Sequence, residues 1–198
     1  MYAQLNTKTV FSFMDATVKL TDYITAAKTL GYQTLGISDV DNLHAAHQFI
    51  TQAKAAGIQP VIGYETTLLL DGLAINFTFI AKTNAGLQNL YSISSKKNFG
   101  YNNFSDIHSH LGDVALILPA DSAVDSILTH LPQNDVFVGL AQPMAQGFLR
   151  PTIPFLSVRY LNAGDAETLA ILHHVKNGTK YDDKIGRASC RERVSSPV

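Results

Sequence analysis

The residues best suited to chemistry in this chain stand in small polar groups beside short apolar runs. At the N-terminal edge, Gln4, Asn6 and Lys8 alternate with Leu5 and Thr7, so an extended backbone puts all three on one face. That face is either solvated or the lining of a site. Asp39 follows Leu35-Gly36-Ile37-Ser38 and opens Asp39-Val40-Asp41-Asn42, where paired carboxylates could hold a metal ion or exchange protons. The same residue types also cap helices, and Asp41 and Asn42 suit that role better. Glu65 ends the run Pro60-Val61-Ile62-Gly63-Tyr64, as a bridging carboxylate or as the start of an exposed half-strand. Ser157 and Arg159 close a further short run.

The histidines do not gather by spacing. His44 and His47 lie three apart on a predicted helix without an acidic third ligand, which reads as surface. His108-Ser109-His110 is an H-x-H on a loop or short helix, His130 is solitary, and His173 and His174 point to different faces of one helix. Lys96-Lys97 reads as a solvated loop end. No nucleophile elbow, phosphate-cradling loop or dinucleotide fingerprint is present in the sequence.

The elements that must position these groups alternate. The pattern predicts an opening strand, a helix over 21–30 capped by Thr21 or Asp22, a strand over 34–38 and a helix over 43–56. A strand from residue 60 turns at Asp71-Gly72 into a second strand ending at Ala81. A helix over 85–95, a loop over 96–103, a strand over 113–118, a helix over 120–131 and a strand over 136–140 follow. Residues 143–154 read as irregular, 155–158 as a strand and 164–175 as a helix. This β-α series with one hairpin predicts a parallel sheet, open or closed, with ligand groups at the carboxyl ends of its strands.

The totals fit one domain of 198 residues with 46% hydrophobic content and a net charge of −1, without the basic excess of a nucleic-acid binder. No apolar run spans a bilayer, and the expected compartment is the cytoplasm. Cys190 is the only cysteine, so no internal disulfide forms. Residues 185–198 break in composition and resemble the translation of a sequencing adapter, and they are set aside as a non-native tail. Without their three arginines and one glutamate the net charge is −3.

Four ordered segments, Gln4–Asp15, Leu35–Leu43, Gly57–Glu65 and Arg159–Asn162 with Asp165-Ala166-Glu167, resemble the PHP (polymerase and histidinol phosphatase) domain. More narrowly they resemble the form at the N-terminus of bacterial DNA polymerase III alpha subunits that lack an embedded exonuclease. The resemblance covers residues 1–184. It implies an α/β fold, a distorted (βα)7 barrel short of its last elements, with a metal cluster at the carboxyl ends of the strands in active members. Here Asn6 and Lys8 replace the family's H-x-H, Asp39-Val40 its Asp-His, and Ser157 and Arg159 its Asp-x-His; Asp39 and Glu65 persist. Valine has no lone pair, and protonated ammonium or guanidinium groups repel cations.

The resemblance therefore implies a structural, non-catalytic segment, with no catalytic residue and no cofactor of its own. Lys8 and Arg159 are expected to pair with Asp39 and Glu65 in the space of the lost ions. The parent enzyme implied is a DNA-directed DNA polymerase, a magnesium-dependent nucleotidyltransferase of DNA replication. Its polymerase core, other replisome subunits and primer-template DNA are the partners, with no membrane. The alternative is a stand-alone phosphoesterase of the histidinol-phosphatase type that uses other ligands, such as His108 and His110.

Overall fold

A computed structural model of the chain describes residues 3–120, 127–132, 134–142 and 147–179. Its chain order is α1 (Leu20–Thr29), β1 (Thr34–Val40), α2 (Ala46–Ala55), β2 (Gln59–Leu70), β3 (Leu73–Ala81), α3 (Asn84–Asn98), α4 (Phe104–Ile107), β4 (Val114–Pro119), β5 (Val136–Leu140), β6 (Thr152–Pro154) and α5 (Asp165–Asn177). The six strands form one sheet in the order of the chain. β1 runs parallel to β2, β4 to β5 and β5 to β6, while β3 is antiparallel to both of its neighbours. One reversed strand in an otherwise parallel sheet follows from the hairpin: Asp71 and Gly72 both take positive φ, 51° and 81°, as a tight two-residue turn between twisted strands requires.

The N-terminal segment joins β1 to the stretch that follows β6. The Gly36 N–H donates to the Gln4 carbonyl at 2.7 Å and the Ser38 N–H to that of Thr7 at 2.9 Å. On its other side Lys8 donates to the Val158 carbonyl and Val158 to that of Asn6, both at 2.9 Å. The segment pairs through isolated bridges, Gln4 with Leu35 and Thr7 with Val158, and forms no continuous strand. Gly36 permits the approach, since a Cβ there would lie 2.9 Å from the Leu5 Cα. Gln4, Asn6, Thr7, Lys8 and Thr9 are consequently all buried, which rules out solvent as the reason for the polar face.

Helices cover the sheet through narrow apolar stripes. Leu20, Tyr23, Ile24 and Ala27 fall at helical spacing and are the buried residues of α1. On β3, Phe77 and Phe79 point to the helix side, where Phe77 packs against Phe104 with ring centroids 5.0 Å apart. Asn76 and Thr78 alternate with them and face the opposite way, beside Glu65.

Several boundaries differ from the sequence expectation. α1 begins at Leu20 behind Lys19, which makes no side-chain cap, so neither Thr21 nor Asp22 caps it. α2 starts only at Ala46, also without a side-chain cap. α3 runs through Asn98 and carries Lys96 and Lys97 in its last turn, and its start is capped by Thr83, which accepts from the Gly86 N–H at 3.2 Å. β6 precedes the strand predicted at 155–158. Pro151 contributes only its carbonyl, to the Val138 N–H at 3.0 Å, so the prolines do not break the ladder. Half of the helix predicted over 120–131, residues 121–126, and all of residues 185–198 lie outside the described residues.

Candidate functional site: an ion-paired strand-end cluster

The N-terminal segment, the carboxyl end of β1 and the middle of β2 bring Asn6, Lys8, Asp39 and Glu65 together. In the parallel register Val40 stands opposite Glu65, which puts Asp39 and Glu65 on adjoining strands at nearly the same level. Lys8 is fully enclosed, and its ammonium donates to Glu65 Oε2 and to Asn6 Oδ1, each at 2.6 Å. Two residues of β3 complete the cage around Glu65: Asn76 donates at 3.2 Å and Thr78 at 3.3 Å. Both stand on the face of β3 that the register turns toward β2's Glu65, an alternation legible in the sequence but assigned no role there.

Burial pulls the pKa of Lys8 below the usual lysine value, and the Glu65 carboxylate opposes that fall by charge and hydrogen bond. Arg159 lowers it further and Asp39 raises it. An uncompensated charge at such a position would be costly, whereas a hydrogen-bonded pair is tolerated.

Asp39 is satisfied differently. Its carboxylate accepts from the Thr9 backbone N–H at 2.6 Å, the Thr9 hydroxyl at 2.8 Å and the Ser12 hydroxyl at 2.7 Å. Ser12 Oγ in turn accepts from the Val40 N–H at 3.1 Å. The group that a strand-end position offered as a ligand or a cap thus clamps the loop after the N-terminal segment onto β1. Asp41 and Asn42 do not cap α2: Asp41 accepts from the Thr66 hydroxyl at 2.5 Å, and Asn42 donates to the Val40 and Phe11 carbonyls, each at 2.9 Å.

Arg159 departs from the expected pairing with Asp39 or Glu65. It bonds the side chain of Asp15 and donates to its backbone carbonyl at 3.3 Å. Asp15 also stands 3.3 Å from His173 Nε2 and 3.6 Å from Lys176 Nζ of α5. Burial alone would raise the Asp15 pKa, but Arg159, then Lys176 and His173, overcome it and hold the group below its usual value of 3.8. Sequence reasoning gave Asp15 no role because its ion-pair partners lie so far along the chain. Val40, half-buried, lines an adjacent cleft of about 550 Å³ with Phe11, Phe13, Asp15 and Lys176, whereas the buried hydroxyl of Ser157 has no hydrogen-bond partner among the described residues.

His44, His47 and His108 are exposed and His110 is half-buried. His108 and His110 form a short 3-10 turn on the connection into the start of β4, whereas Asp39 and Glu65 belong to the carboxyl end of β1 and its neighbour. Among the described residues no group of three His, Cys, Asp or Glu side chains is arranged to hold a metal ion. The donors at the strand ends also fit one poorly: both Asp39 oxygens accept from Thr9 or Ser12, and Glu65 Oε2 accepts from an ammonium.

Residues 4–140 match the model of the PHP domain, and the chain belongs to that family. Its curated relatives include DNA polymerase III subunit alpha of Streptococcus pyogenes, 36% identical over 180 residues, which are 89% of this chain and 17% of that protein. The corresponding subunit of Staphylococcus epidermidis is 32% identical over 194 residues, 92% of this chain and 17% of that protein. The chain therefore spans about a sixth of the length of these relatives. Among solved structures, a proposed metal-dependent phosphoesterase from Bifidobacterium adolescentis overlaps 48% of this chain and 32% of its own, with a TM-score of 0.40 and 18% identity. Among the described residues no helix is long and apolar enough to cross a membrane.

Proposed function

We propose that this chain is the PHP module of a bacterial DNA polymerase III alpha subunit and that it acts as a structural brace, with an ion pair where active family members hold metal ions. The observation that carries this reading is the enclosed Lys8 ammonium, 2.6 Å from both Asn6 and Glu65 at the strand ends. A cation there opposes entry of another cation and ties the N-terminal segment to β2, a task that bridging ions would otherwise perform. Residues 1–184 make up the module in this account, with residues 185–198 outside it. The polymerase core of the same polypeptide, other replisome subunits and primer-template DNA are its partners, in the cytoplasm. Deoxynucleotide transfer with magnesium belongs to that core, and no step of it is assigned to the residues described above.

The stand-alone phosphoesterase would need a set of neutral or anionic ligands, and His108 and His110 are on a different connection from Asp39 and Glu65. The test is to express the complete open reading frame and assay primer extension with deoxynucleoside triphosphates and magnesium, beside phosphate release from histidinol phosphate with added zinc or manganese. Extension with background phosphate release is expected. Metal-dependent phosphate release without extension would establish the phosphoesterase instead.

A further inference from the structure

α5 is attached to the rest of the chain unlike the other long helices. Of its thirteen residues only Leu169 is fully buried, while Ile171 and Val175 are 41% and 58% exposed. Its first turn is pinned by a local clasp: Asp165 Oδ2 accepts from the Asn162 N–H at 3.2 Å, and the Asp165 N–H donates to the Asn162 carbonyl at 2.9 Å. Its last two turns meet the loop after the N-terminal segment at Asp15, where the Lys176 ammonium lies 3.6 Å and the His173 imidazole 3.3 Å from the same carboxylate oxygen. Residues three apart share a helix face, so one carboxylate holds both. The other Asp15 oxygen is bonded to Arg159, which fixes the anchor while its α5 partners remain 39% and 46% exposed. Asp15 and Lys176 both line the cleft of about 550 Å³ whose mouth carries Phe13, 77% exposed.

We propose that the C-terminal half of α5 is a charge-held lid on this cleft, hinged at Asn162–Asp165 and released when the Asp15 carboxylate is neutralised or screened. Apolar anchoring would tolerate salt, but half-exposed ion pairs weaken as the screening length falls from about 10 Å at 0.1 M to about 3 Å at 1 M ionic strength. Leu169 lies toward the hinge and keeps the first half in place. This device does not depend on which family activity the chain retains.

Hydrogen exchange of the full chain, followed by mass spectrometry, tests it. In Asp15→Asn, and in the unaltered chain at 1 M against 0.1 M sodium chloride, amides of residues 172–177 should exchange about fivefold faster. Those of β2 should stay within about twofold of the unaltered chain, since local opening leaves core strands protected. Should Asp15→Asn fail to fold, Lys176→Gln alters only an exposed side chain and should speed the same peptide by about twofold. Unchanged exchange over 172–177 in salt and in Lys176→Gln, or loosening that spreads equally to β2, would overturn the proposal.

Discussion

The inner and outer carboxylates of the site are neutralised in contrasting ways. Glu65 faces one fully enclosed ammonium, whereas Asp15 faces Arg159, the His173 imidazole and Lys176, whose side chains are 20%, 39% and 46% exposed. Proximity to charge is similar, but the surroundings differ, and so does the consequence of losing a partner. Inside, a stranded charge has neither water nor another ion to turn to; outside, water and salt substitute at little cost. The inner pair is therefore a fixed structural joint and the outer cluster an adjustable one.

The contrast can be broken most forcefully at Lys8. Replacing Lys8 by Met leaves Glu65 buried without its cation and should cost about 3–5 kcal/mol in urea unfolding, while a Lys8→Met/Glu65→Gln double variant recovers a large part of that loss. A single variant within about 1 kcal/mol of the unaltered chain would mean that the pair is not the joint described. Next in size is Ser12→Ala, which removes a hydroxyl that donates to Asp39 and accepts from Val40. It should cost about 1.5–3 kcal/mol by the same measurement, because one of the lost bonds is to a charged group.

The smallest effect concerns the outer cluster. Asp15 has a pKa held below 3.8, so its contribution is fully present above that value and is lost as pH falls through the lowered one. Acid titration of stability should show a loss in that range that Asp15→Asn reduces. An identical acid limb in the variant would remove Asp15 from the account.

Much of this arrangement was legible from residue order. The Asp71-Gly72 turn, the apolar stripe of α1 and the polar residues closing apolar strands all follow from local periodicity and turn chemistry, and they located Asp39, Glu65 and the N-terminal polar face. What the pattern left open was pairing. Lys8 reached Glu65 as the family resemblance implied, but Arg159 bonds Asp15, 144 positions away, because the choice between acidic partners depends on how the loop over 9–19 folds across the strand ends. Asp39 needed no cation at all, since Thr9 and Ser12 supplied neutral donors that composition does not distinguish from ordinary turn residues. β6 falls within residues 143–154, which read as irregular; the strand forms there because the ladder takes only the carbonyl of Pro151, a role open to a residue without an N–H.

The most direct test of the central claim, that an ion pair stands where family members hold metal, is titration calorimetry of the chain with zinc and with manganese. The account predicts no saturable heat from the strand-end site and no change on Asp39→Asn. Stoichiometric binding with a Kd of about micromolar or tighter, abolished by Asp39→Asn or Glu65→Gln, would contradict it.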